Sequence, residues 1–334
     1  MYLRRISFNT KSYDGFIDFI KAYAIICVLI GHSLLPIGKM AYGIWAGMQV
    51  PLFILIQTFH SYKKEEVSLN LGKVMRRVML PFIILEAVVF VLASIFTDND
   101  CNSLILSFVN GGGYGNGSYY PWIYFQVALL LPMFAWLLKR CNRITSLVIF
   151  LAICEGFEIL FSVTDFPDRV YRLLVIRYIF LIYLGWVWVK DGVRINWLTI
   201  FLSAISFVAI IYFEYLSVND EPWFYKTRWS FHRWPCYIYV AYGLTAILHV
   251  LWKGLSKNDR IVKYIKILAT SSYEIFLMQM TIRFFFMRSV MDFIQNKYIA
   301  YAAWFLMFWM LSIGGGIIMN RVLFSKKYRL KSNG

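Results

Sequence analysis

The chain has 334 residues, 60% of them hydrophobic and 19% aromatic, with a formal net charge of +16, and this composition excludes an ordinary soluble domain. The charge does not point to nucleic acid, because Lys and Arg fall mainly between apolar segments, where they set topology, and no basic helix or aromatic platform stands clear of them. Five cysteines without a CxxC pair give neither a metal site nor a disulfide framework, and whether Cys101 and Cys236 pair is left open by spacing alone.

With about 20 apolar residues per crossing, the chain reads as an all-α polytopic membrane helical bundle of about ten transmembrane helices, one domain over 1–334. The expected spans lie near 16–35, 41–60, 78–96, 121–138, 144–161, 170–189, 195–216, 235–252, 267–287 and 299–320. The first is expected to be retained, since it lacks a small-residue cleavage site and carries charges that a signal core excludes. An even number of spans puts both termini on one side, and the excess of Lys and Arg on that side predicts a cytoplasmic location for them in the cell membrane.

The first span, DGFIDFIKAYAIICVLIGHSLLP from Asp14 to Pro36, holds Asp18, Lys21 and His32 at membrane depth, where ionisable groups are costly and mark function. The step from Lys21 to His32 rises about 16 Å and returns to within about 20° of the same helix face. Asp18 lies one turn before Lys21, so the span presents an ammonium paired to a carboxylate at one end and an imidazole at the other. After the second span, Lys73, Arg76 and Arg77 precede Pro81 at the mouth of the third. They read either as topology charges attracted to anionic membrane lipid or as a clamp for phosphate.

Two exterior loops are long. Thr97 to Tyr120 has no Lys or Arg and carries GGGYGNGSYY, read as a flexible run that closes over a bound chain. Ser217 to Trp234 mixes Trp and Phe rings with Asp, Glu and Arg. Rings of this kind stack on the C–H face of a sugar while polar neighbours bond its hydroxyls, which makes Tyr119, Tyr120, Trp122, Trp229 and His232 acceptor candidates; the alternative is an aromatic belt at the span ends. Glu155 and Glu158 on the fifth span face Arg172 and Arg177 on the sixth, as mutual ion pairs or as a polar wall for the acceptor. Glu86, Glu274, Gln279 and Arg283 are similar candidates inside spans, with Glu274 and Gln279 counted among the acceptor-binding positions, while His60 and His249 fall near cytoplasmic span ends.

These motifs resemble the acyltransferase family 3 membrane proteins, and within them the sugar O-acetyltransferases that include fucose 4-O-acetylase-like proteins. The likeness rests on a basic residue and a histidine separated by ten positions (Lys21, His32), on VPLFILI at Val50 to Ile56, and on a paired basic motif before proline (Lys73, Arg76, Pro81). A late Ser-Tyr-x-x-Phe-Leu segment, Ser272 to Leu277, completes it. Two positions depart from the pattern: Gln57-Thr58 replaces a Ser-Gly pair, which puts close helix packing there in doubt, and Gln279 stands where a histidine often ends the late motif. The resemblance implies acetyl-CoA as donor on the cytoplasmic side and a carbohydrate or glycolipid hydroxyl as acceptor; with no CxxC pair among the five cysteines, no metal is expected. His32 is then the candidate base, and Lys21, oriented by Asp18, holds the donor or steadies developing negative charge. Direct transfer and relay through an acetylated residue both remain open, and a transporter or flippase of a glycan or lipid-linked intermediate is the alternative.

Overall fold

The computed structural model of this chain describes residues 2–6, 12–33, 39–64, 66–96, 101–164, 167–218 and 232–329. A strand, β1 (Tyr2–Ile6), precedes α1 (Ser12–His32), α2 (Lys39–Ile44), a 3-10 turn over Ala46–Met48 and α3 (Gln49–Tyr62). Then α4 (Leu71–Val74), a π-helical turn over Met75–Met79 and α5 (Leu80–Phe96) run on continuously, followed by α6 (Cys101–Gly111), α7 (Tyr119–Arg140) and α8 (Arg143–Val163). Next come α9 (Asp168–Arg172), a 3-10 turn over Val175–Tyr178, α10 (Ile179–Asp191), β2 (Val193–Asn196) and α11 (Trp197–Val218). The chain ends with α12 (Trp234–Ile238), a π-helical turn over Tyr239–Leu244, α13 (Thr245–Leu255), α14 (Asp259–Thr270), α15 (Ser272–Phe293) and α16 (Lys297–Arg329).

Among the described residues, eight helical stretches are long and apolar enough to cross a membrane: Gly15–His32, Tyr42–Tyr62, Leu71–Phe96, Tyr119–Arg140, Arg143–Val163, Trp197–Leu216, Trp234–Leu255 and Lys297–Leu323. The chain is an all-α polytopic bundle. The expected spans near 170–189 and 267–287 are helical too, but built differently. The second of them is divided at Ser271 into α14 and α15, and α15 carries Glu274, Gln279 and Arg283, with Arg288 and Asp292 in its last turns.

The first is broken at Leu173 and Leu174, the latter extended at φ −95° and ψ 138°. Backbone groups freed in an apolar interior need partners, and one side chain supplies two. Gln126 of α7 donates from Nε2 to the Leu173 carbonyl at 2.6 Å and accepts the Val175 N–H at Oε1 at 3.1 Å. Past the break, α10 is buried along most of its length and forms the centre of the bundle with α3. These two helices meet closely because Gly185 of α10 lies against Thr58 of α3, where any Cβ would overlap the threonine hydroxyl. Close packing therefore survives the Gln57-Thr58 departure, with the small residue placed on the opposite helix. Outward, α5, α8, α11 and α16 turn large apolar side chains such as Ile84, Val148, Phe201 and Met310 to the surroundings, as lipid-facing helices do.

Three smaller features matter below. The π-helical turn stands directly before Pro81, which has no N–H to give to the carbonyl four residues back, so the helix there reorganises its bonding. The segment Thr97 to Tyr120, read as an exterior loop, contains α6. Elsewhere, β1 pairs antiparallel with β2, with Arg5 opposite Arg194. The cysteine pairing left open by the sequence does not occur: Cys101 is exposed at the start of α6 and Cys236 is a buried free thiol of α12.

Candidate active site

His32 is the last residue of α1, and α15 holds it twice. Its Nδ1 lies 2.7 Å from Oε1 of Gln279, and Arg283, one turn further along α15, donates from Nη1 to the His32 carbonyl, one of the acceptors a helix C-terminus leaves over. Gln279 in turn donates from Nε2 to the Asn116 carbonyl at 3.2 Å. The glycine turn therefore sits directly on the imidazole. Its glycines 112, 113, 115 and 117 all have positive φ, a region costly for residues with a Cβ. Space is as tight as the dihedrals: a Cβ at Gly115 would lie 2.8 Å from the Met280 carbonyl, and one at Gly117 3.0 Å from the Phe276 ring and 3.5 Å from His32 Cε1.

Read as a flexible flap, this turn is in fact tied down. Glu86 of α5 accepts the Tyr114 N–H at 2.6 Å, Ser118 donates to the Gly111 carbonyl at 2.9 Å, and Trp122 donates from Nε1 to the Gly112 carbonyl at 2.6 Å. The Tyr114 hydroxyl reaches back to the Leu104 carbonyl of α6 at 3.1 Å. Glycine serves close approach here, not mobility.

Below His32 a cavity of about 410 Å³ opens between α1, α3, α7 and α15. Lys21 lines it, with its Nζ 3.8 Å from Oδ1 of Asp18. One end is basic and is formed by His60, Lys64, Lys73 and Arg77. The rest of the lining includes aromatic rings, Tyr120 packing edge-on to Phe276 at 5.3 Å between centroids and Phe276 lying against Tyr273 at 6.3 Å. Phe276 is also the ring that faces Gly117 beside His32, so the aromatic part of the lining and the imidazole are next-door neighbours. Tyr273 donates from its hydroxyl to the Val78 carbonyl at 2.7 Å and thereby ties α15 to the basic π-helical segment. Glu274 lines the cavity wall and accepts from Asn320 at 3.0 Å.

A second polar cluster gathers the remaining candidates. Tyr171 donates to Oε1 of Glu158 at 2.7 Å, and Trp234 donates from Nε1 to Oε2 of Glu155 at 2.8 Å. The Arg177 guanidinium, 3% exposed, lies 5.4 Å from the Tyr171 ring centroid and 5.2 Å from that of Tyr178, and donates to the Arg172 carbonyl at 3.2 Å. His232 bonds the Tyr178 hydroxyl through Nδ1 at 2.7 Å and approaches the Gly47 carbonyl through Nε2 at 3.2 Å. Arg172 lies over the Tyr119 ring at 5.9 Å.

The structure thus separates residues that the sequence grouped as one acceptor surface. Tyr120 and Glu274 belong to the cavity with Lys21, Gln279 to His32, and Trp122 to the anchoring of the glycine turn. Tyr119, Glu155, Glu158, Arg177 and His232 belong to the second cluster. Trp229 lies outside the described residues. Of the basic trio, Lys73 and Arg77 line the cavity, while Arg76 is exposed away from it. His60, read as interfacial, and Lys64, Phe53 and Tyr124, not singled out in the sequence, line it as well. The groups of His, Cys, Asp and Glu needed to hold a metal ion do not occur among the described residues.

His32 and the cavity-lining Lys21 thus stand on one face of the first span, with Lys64, Lys73 and Arg77 lining the same cavity. Searches of curated proteins and of solved structures find no match to the chain. The family profile described as an acyltransferase domain matches residues 14–321, nearly the whole described bundle, and the chain accordingly belongs to acyltransferase family 3, as a multi-pass membrane acyltransferase.

Proposed function

We propose that the protein transfers acetyl from acetyl-CoA on the cytoplasmic side to a hydroxyl of a cell-surface or secreted carbohydrate. The observation that carries this reading is the continuity of the cavity, which begins among Lys64, Lys73 and Arg77, passes Lys21 and ends at Tyr120 and Phe276, beside His32. In this reading the carrier phosphates rest on the basic mouth, the pantetheine arm lies along the cavity, and the thioester is delivered to the aromatic end. A sugar hydroxyl attacks a thioester poorly until a base takes its proton, and a neutral imidazole suits that step. His32 takes the proton, and Lys21 meets the negative charge that gathers on the carbonyl oxygen. The basic mouth belongs to the side that the excess of Lys and Arg marks as cytoplasmic, which sets His32 toward the acceptor on the other side of the cell membrane.

Purified protein with radiolabelled acetyl-CoA and a mixture of neutral and acidic oligosaccharides tests the reading. Label is expected on carbohydrate with wild type, and His32→Ala is expected to lose about 10²- to 10⁴-fold in rate, the usual worth of general acid–base catalysis. A loss of only a few-fold, or binding of acetyl-CoA that is indifferent to neutralising Lys73 and Arg77 together, would sink it.

A further inference from the structure

We propose that Gln279 selects the imidazole tautomer of His32, so that Nε2 is the atom that takes the acceptor's proton. The inference rests on the reading of His32 as base and adds which nitrogen acts and what makes it act. The argument starts at the Asn116 carbonyl, which only accepts hydrogen bonds. It lies 3.2 Å from one end of the Gln279 amide, so that end is the NH₂ and the other is Oε1. Oε1 also only accepts, and it lies 2.7 Å from Nδ1 of His32. The proton of that bond therefore sits on Nδ1, and in a neutral imidazole the lone pair is left on Nε2. The opposite tautomer would set two lone pairs against each other at a fully buried amide, since Gln279 is 0% exposed.

The rest of the site keeps this arrangement rigid. Arg283 holds the carbonyl of His32 from the same helix, so α15 fixes both the backbone and the ring. The glycine turn that supplies the Asn116 carbonyl is itself held by Glu86, Ser118 and Trp122. Gly117, with no Cβ, lets the turn pack against the ring at Cε1, the carbon between Nδ1 and Nε2.

The step balances with these atoms. As the hydroxyl oxygen forms its bond to the thioester carbonyl carbon, its proton passes to Nε2, and the imidazolium keeps Nδ1–H on Oε1 of Gln279. Collapse of the adduct breaks the C–S bond, the thiolate takes the proton from Nε2, and His32 returns to the Nδ1–H form with CoA as thiol.

Nitrogen-15 NMR of histidine-labelled protein in lipid nanodiscs tests the assignment, with His32 identified by the loss of its signals in His32→Asn. For neutral His32 the spectrum is expected to show a protonated Nδ1 and an unprotonated Nε2, the reverse of free histidine. Gln279→Leu is expected to move the population toward Nε2–H and to lower kcat about 10-fold or more, with the donor KM within about two-fold, while Gln279→Glu keeps an acceptor and the Nδ1–H tautomer. A protonated Nε2 in wild type, or a Gln279→Leu protein with unchanged tautomer and kcat, would overturn the proposal. Should Gln279→Leu fail to fold, the wild-type spectrum decides alone. Transfer retained by His32→Ala would instead overturn the base role, and the nitrogen signals would still decide the tautomer.

Discussion

Lys21 and His32 share a face of α1 yet look into different surroundings, the lysine into the cavity and the histidine onto the glycine turn and α15. A cation placed to meet developing negative charge is worth more in the transition state than before it. Lys21→Met should accordingly lower kcat by about 10²-fold, as loss of an oxyanion partner does, and Lys21→Arg should keep part of the rate. Single-turnover transfer of labelled acetyl measures both, and wild-type kcat in Lys21→Met would remove the lysine from the chemistry. This pair was legible in the sequence because helical periodicity is local: eleven residues on one helix need no knowledge of the rest of the fold. Gln279 was visible as a polar residue in a span and as a departure from the late motif, but not as the partner of His32. Its partner stands 247 positions away, and no pattern along the chain announces a contact of that separation.

Helices were legible as elements wherever twenty apolar residues ran together, and illegible where a break is repaired from elsewhere. The interruption at Leu173 and Leu174 exists because Gln126 satisfies one carbonyl and one N–H across it. Gln126→Leu should leave both unpaired and cost about 2 to 4 kcal/mol, seen as a lower melting temperature in detergent; an unchanged melting temperature would assign the bonds to surrounding water. The meeting of α3 and α10 makes a second expectation. Gly185→Ala pushes a methyl group into Thr58, and overpacking of this kind costs about 1 to 3 kcal/mol. Thr58→Ala in the same protein should restore only part of that loss, because the threonine Cβ is also too close, at 2.7 Å. The glycine turn teaches the same lesson at shorter range. Its composition suggested freedom, whereas its positive φ values and its contacts with Met280, Phe276 and His32 show constraint.

Across the whole molecule, the cavity joins a basic mouth to the aromatic wall beside His32, and affinity for the donor should follow that lining. Lys73→Gln and Arg77→Gln should each weaken acetyl-CoA binding by about 1.5 to 3 kcal/mol if a charge-assisted bond is lost. Arg76→Gln, outside the lining, should change it by less than about 1 kcal/mol, the scale of an exposed charge; calorimetric titration of the three variants separates them. The strand pair β1–β2 has a different consequence, one of parity. Backbone hydrogen bonds join Tyr2–Ile6 to Val193–Asn196, and no ladder of this kind can be shared across a bilayer, so the two strands stand in one compartment. The polypeptide between them must therefore cross an even number of times. Five of the long apolar helices lie in that interval, which is odd. The broken segment from α9 through α10 supplies the missing passage, and α6 supplies none. Single cysteines placed at Asn142 and Gly192 should accordingly react with an impermeant maleimide from the same side, and one placed at Pro167 from the other.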